Sequence, residues 1–181
     1  IRLAPDEVAV AGGHSRRDAI VDEVVRRRVH RRNAGTADAH VRDSGRPGGV
    51  VALQEPDGST LNCDPPHPAW DRLKAAVLGA FAGVGADLTL ARRLYRLARQ
   101  AGLDDVQYRP FLIGVRSIDP MVDYLPSTVE SLRGTVIRLG LMSEAELSTA
   151  LDQCRAHLRD AGTVFTMYTV AQVWGRKPAS A

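Results

Sequence analysis

Glu55 and Asp57 flank a proline at the end of the apolar run "GRPGGVVALQEPDG", residues 45–58. In an open α/β sheet, ligands sit beyond the carboxyl ends of the strands. A strand from Val50 to Leu53 that stops at Glu55-Pro56-Asp57 therefore delivers two carboxylates to the mouth of a site. Pro56 is expected to end the ladder, because it has no N–H to donate. The competing expectation is an exposed turn without chemistry. Cys63 and Cys154 are too few and too far apart for a disulfide framework or a thiolate metal cluster, and no metal site is expected. The densest cationic run, "RRRVHRR" from Arg26 to Arg32, could neutralise phosphates. It has no interleaved aromatic and no accompanying binding module, so nucleic acid is not an expected partner.

These residues need elements to position them. A chain of 181 residues with 44% apolar content has the length and the core material of one domain. No apolar run reaches the roughly 18 residues of a membrane helix, and the N-terminus lacks the outline of a signal peptide, so a cytoplasmic protein is expected. Residues 1–49 hold ten Arg against seven acids, whereas residues 50–181 balance at fourteen and fourteen. The excess charge lies in the first quarter.

From Pro47 onward the pattern is regular. The strand at Val50 is followed by a loop over Glu55–Pro68 and a helix from Ala69 to about Phe81. A second helix is capped by Thr89, packs through Leu90, Leu94, Leu97, Ala98 and Ala101, and ends at Gly102. Arg92, Arg93, Arg96 and Arg99 occupy its other face and read as solvated surface. Val106–Val115 is a strand that Pro110 confines to an edge or a bulge. "STVESLRGTVIRLG" and "SEAELSTALDQCRAHLRDAG" read as a helical pair. The second of these opens with a Ser143/Glu146 capping box and carries Leu147, Ala150, Leu151, Cys154 and Leu158 on one stripe. "TVFTMYTVAQVW" is apolar on both faces, as a strand covered on both sides would be.

Three segments in order resemble the C-terminal half of a class I S-adenosylmethionine-dependent methyltransferase of the small-molecule type. "RPGGVVALQEPD" resembles the family's Pro-Gly-Gly turn and following strand. "ARRLYRLARQAGLDDVQYRP" resembles the next helix and strand, and "TVFTMYTVAQVWGRKP" the final antiparallel strand with its Gly-Arg-Lys-Pro end. The resemblance covers about residues 46–178. It implies an α/β fold: part of a Rossmann-like methyltransferase sheet with helices on both faces and a helical cap inserted at about 121–161. It also implies that Val50–Leu53, Val106–Val115 and Val164–Trp174 share one sheet, with the last strand between the other two and antiparallel to them. Met121, Tyr124, Val136 and Met142 become candidates for an acceptor pocket, with core packing of the same side chains the preferred reading. Glu55 and Asp57 become candidates to orient or deprotonate the acceptor, with His67 a more remote one.

The implied cofactor is S-adenosylmethionine, which the family holds mainly through its first half: a glycine-rich turn and carboxylates at two strand ends. Only 45 residues precede the match, fewer than that half needs at ordinary element lengths. "EVAVAGGHSRRDAIVDEVV" imitates a strand, glycine turn and helix, which makes Gly12 and Gly13 the cofactor-binding candidates. It lacks an acidic strand end, and a short unrelated helix is the preferred reading. Residues 1–45 are expected to be atypical, Arg-rich and less ordered than the rest, as in a truncated or frame-shifted product. Two outcomes stay open, an active methyltransferase with a small-molecule acceptor and an inactive fragment. The alternatives are a non-catalytic partner protein, including a homo-oligomer formed through an open sheet edge, and an Arg-rich nucleic-acid-binding protein.

Overall fold

The computed structural model describes residues 8–10 and 46–179. Gly12, Gly13, the Arg26–Arg32 run and the order expected of residues 1–45 lie outside the described residues. Two compact units divide the chain: unit 1 takes residues 1–56, 89–111 and 170–181, and unit 2 takes residues 57–88 and 112–169.

Unit 1 is built on a four-stranded sheet in the order β1-β2-β7-β4. Its strands are β1 (Val8–Val10), β2 (Val50–Asp57), β4 (Asp104–Phe111) and β7 (Thr169–Arg176). β1 runs parallel to β2, with Val8 opposite Val50 and Val10 opposite Ala52. Val8–Val10 is thus a strand, and the helix read around Ile20–Val25 lies outside the described residues. β7 lies between β2 and β4, as the resemblance implies, and pairs antiparallel with β4 from Phe111/Val170 to Asp104/Arg176. Between Asp104 and Gln107 the register slips, and Asp105 there takes a positive φ of 49°. This bulge, and Pro110 within the strand, fit an edge position.

The Pro-Gly-Gly turn before β2 is tied to the end of β7. Gly48 N–H donates to Lys177 O at 3.1 Å, and Lys177 N–H donates to Gly49 O at 2.9 Å. Pro56 does not stop β2, which continues through it to Asp57. The described pairing with β1 ends at Ala52, so the missing donor of Pro56 interrupts no bond on that side.

A 3-10 turn over Leu90–Arg93 leads into helix α2 (Leu94–Gln100), and Thr89 makes no side-chain cap bond to it. The helix ends as its sequence predicts. Gly102 has φ +82°, its N–H donates to Arg99 O, and Leu103 N–H donates to Ala98 O, which satisfies two orphan carbonyls in a Schellman motif. Ala91, Leu94, Ala98 and Leu103 pack with Val51, Ala171 and Val173 as the core of this unit.

Unit 2 holds helices α1 (Pro68–Gly83), α3 (Tyr124–Ser131), α4 (Arg133–Arg138) and α5 (Glu144–Leu158). Its three-stranded antiparallel sheet runs β3-β6-β5, from Asn62–Asp64, Val164–Thr166 and Gly114–Arg116. The expectation of a single sheet is corrected here. Val106–Val115 is two strands in two sheets, and so is Val164–Trp174. The breaks fall at Leu112–Ile113 and Met167–Tyr168, where Met167 N–H still donates to Ile113 O at 2.9 Å. Apolar side chains run on through both breaks, so periodicity alone carried no sign of them.

α5 forms for the reasons its sequence gives. Ser143 Oγ accepts from Glu146 N–H, and Glu146 Oε2 accepts from Ser143 N–H at 2.8 Å, a complete capping box. Its stripe of Leu147, Ala150, Leu151, Cys154 and Leu158 is buried against Trp70, Leu73, Leu125 and Phe165. Each buried leucine there stabilises the unit by about 1.5–3 kcal/mol. No helix among the described residues is long and apolar enough to cross a membrane.

Candidate functional site

α3 starts after a run of turns, and Tyr124, Ser127, Thr128 and Ser131 recur on it at helical spacing. Together with Pro120, Met121 and Asp123 they line a shallow groove of about 350 Å³. Two of the sequence-predicted acceptor residues, Met121 and Tyr124, thus meet in one depression. Tyr124 O–H donates to Tyr168 Oη at 3.0 Å, with the rings edge to face. Burial, then the bond to Tyr168, push the Tyr124 phenol well above the ordinary tyrosine range, so it is a neutral donor and acceptor and not a base. Thr128 Oγ1 donates to Tyr124 O and Ser131 Oγ donates to Thr128 O, so these two hydroxyls hold the helix itself. Asp123 Oδ2 accepts from Arg159 at 2.9 Å, while its Oδ1 is buried with no hydrogen-bond partner.

Met142 is elsewhere. It is buried in the core of unit 2 and borders a separate depression of about 220 Å³ with Arg72, Leu141 and Glu146. Val136 is fully buried.

Asp57 is 6% exposed. Its Oδ1 accepts from Ser59 N–H at 3.1 Å and Ser59 Oγ at 2.6 Å, and its carbonyl accepts from Thr60 Oγ1 at 2.7 Å. The carboxylate therefore caps the 3-10 turn Gly58–Thr60. Glu55, two residues earlier, shares its face of the strand and is half-buried.

His67 has a structural position that the sequence did not reveal. Its Nδ1 accepts from Ala69 N–H at 3.1 Å and caps α1, and its ring stacks on His157 at 4.5 Å between centroids. His157 Nε2 lies 2.9 Å from Pro65 O and 3.8 Å from Cys63 Sγ, and the Cys63 thiol is 3.3 Å from the same carbonyl. A carbonyl can only accept, so Nε2 carries the proton and cannot take one from the thiol. Burial pushes the Cys63 thiol up as well. The arrangement fastens the Pro65 loop to α5 and is not a nucleophile–base pair. Residues 63 and 157 are too far apart in sequence for any spacing rule to have paired them. Among the described residues, no group of three or more His, Cys, Asp or Glu could hold a metal ion.

S-adenosylmethionine needs a glycine turn open to the ligand and a carboxylate for its ribose hydroxyls. The glycines of the Pro-Gly-Gly turn serve the turn itself. Gly48 sits at φ +75°, and a Cβ on Gly49 would lie 2.9 Å from Arg46 O. The described residues do not form that cradle.

No protein-family model matches the chain, and no curated protein matches it. Two solved structures of Haemonchus contortus phosphoethanolamine N-methyltransferase 2 are similar to it. One is in complex with phosphomonomethylethanolamine and S-adenosylhomocysteine: 10% identity, 83% of this chain, 31% of that chain, TM-score 0.35. The other, a selenomethionine protein in complex with S-adenosyl-L-methionine, has 10% identity over the same shares and a TM-score of 0.34. This chain thus spans about a third of the length of those proteins. Likeness at that level fixes neither the fold nor the activity.

Proposed function

We propose that the chain carries the C-terminal strands of a methyltransferase-type sheet and belongs to an S-adenosylmethionine-dependent methyl transfer to a small-molecule acceptor. One observation supports this above the others: β7 is inserted between β2 and β4, antiparallel to β4, with its Gly-Arg-Lys-Pro end bonded back to the Pro-Gly-Gly turn. Two motifs more than a hundred residues apart, each unspecific alone, meet through backbone hydrogen bonds. The groove of α3 would take the acceptor, its apolar part against Met121 and a polar group against the Tyr124 hydroxyl. Methyl transfer needs chiefly proximity and alignment. A general base is required only for acceptors that must lose a proton. Bound S-adenosylmethionine would supply the electrophilic methyl group.

Ultraviolet cross-linking with tritiated S-adenosylmethionine tests this reading. Label on the native chain that S-adenosylhomocysteine competes away is the expected result. Label no greater than on the heat-denatured chain, or indifferent to the competitor, would remove the support for a methyltransferase.

A further inference from the structure

The two units differ in charge. Over its described residues unit 1 has eight Arg and Lys against three Asp and Glu, while unit 2 has seven against eleven. Much of the positive charge of unit 1 lies along one stripe. Arg92, Arg96 and Arg99 recur at helical spacing through the 3-10 turn and α2, and all three are exposed, opposite the buried Ala91, Leu94 and Ala98.

Such a stripe alone is a solvated helix face, but here two aromatics accompany it. Tyr95 is on the same outer face and is 39% exposed. Its ring meets that of Tyr108 on β4 edge to face at 6.3 Å, and Tyr108 is 48% exposed. Arg109, the next residue on the strand, is exposed on the opposite face of the sheet and is no part of this surface. Arg96 Nη1 bonds the neutral Gln100 Oε1 at 3.4 Å, which leaves its charge uncompensated there. Asp104 and Asp105, exposed at the start of β4, oppose an anion, and Glu55 on β2 is the third acidic group of this unit.

Guanidinium groups beside solvent-facing aromatic rings suit a ligand with both phosphates and flat bases. A duplex would satisfy the arginines and leave the rings idle, since its bases are already stacked. An acidic peptide would do the same. We infer that this surface of unit 1 binds a single-stranded polynucleotide, with phosphates on Arg96 and Arg99 and bases stacked on Tyr95 and Tyr108. The inference is independent of the methyltransferase reading and does not involve the Arg26–Arg32 run.

Fluorescence anisotropy on the full chain tests it, with labelled oligothymidylate and oligouridylate, a duplex of equal length and inorganic polyphosphate as probes. Both oligonucleotides are expected to bind more tightly than duplex or polyphosphate, with affinity falling as salt rises. A preference between them identifies DNA or RNA as the source. The double variant Arg96→Gln/Arg99→Gln should lose affinity and flatten the salt dependence. Tyr95→Ala and Tyr108→Ala should each raise Kd roughly fivefold or more at unchanged salt slope. Tyr95→Phe keeps the ring face and should bind like the wild type, and circular dichroism checks that each variant is folded. The inference is overturned if the wild type does not bind at low salt. Equal binding of polyphosphate, or binding unchanged in the arginine and tyrosine variants, would also overturn it.

Discussion

Ser143 and Glu146 form a reciprocal capping box, which can be tested one atom at a time. The bond from Ser143 Oγ–H, followed by that from Ser143 N–H, holds the Glu146 carboxyl below the ordinary glutamate range. A depressed folded value means stability that is present above the ordinary glutamate value and lost as pH falls through the folded one. In Ser143→Ala, an NMR titration should show Glu146 returning toward the ordinary range. Urea unfolding of that variant should show a loss of about 1 kcal/mol at unchanged m-value. An unaltered Glu146 titration would mean that the capping box does not form in solution. The two cysteines give a second residue-scale prediction. Burial pushes Cys154 up to about 12 and raises Cys63 also, so neither is a thiolate near neutral pH. A chromogenic disulfide reagent should titrate both thiols only after denaturation, and rapid reaction of either in the native chain would contradict the burial described for them.

At the scale of elements, the glycines separate tolerated from forbidden change. Gly134 lies within α4, and a Cβ there would meet nothing within 4 Å. Gly134→Ala should therefore stabilise unit 2 by about 0.4–1 kcal/mol, through reduced freedom of the unfolded chain. Gly175 is opposite the bulge of β4, where a Cβ would lie 2.9 Å from Asp104 O and 3.0 Å from Leu103 Cβ. Gly175→Ala should cost about 1–3 kcal/mol, since the closest atom belongs to backbone. Denaturation followed by the fluorescence of Trp174, in a Trp70→Phe background, checks it, and an unshifted midpoint would show that the bulge yields. Elements whose signals are local were legible in the sequence: the box and stripe of α5, and the glycine end of α2. What was missed depends on distant partners. Asp57 is a local case instead: its carboxylate accepts from Ser59 N–H and Oγ two residues on, a turn that strand alternation does not reveal. Pro56 reads as a strand end until the pairing shows which side of β2 needs a donor. The two long apolar runs read as single strands, because nothing in their alternation marks a change of sheet. Met142, a pocket candidate alongside Met121 and Tyr124, packs in the core of unit 2, as its apolar side chain equally allows.

At the scale of the whole molecule, the sheet of unit 1 has the strand order β1-β2-β7-β4, and its Pro-Gly-Gly glycines serve the turn rather than a ligand. The family's ribose carboxylate would contribute charge-assisted hydrogen bonds of about 1.5–3 kcal/mol each, and two of them amount to two decades or more of affinity. The most direct measurement is calorimetric titration of the intact chain with S-adenosylmethionine and S-adenosylhomocysteine. Saturable but weak binding is expected, with Kd on the order of 0.1 mM or weaker, unaffected by Gly12→Val or Gly13→Val. Binding at about micromolar Kd or tighter that either substitution abolishes would contradict it.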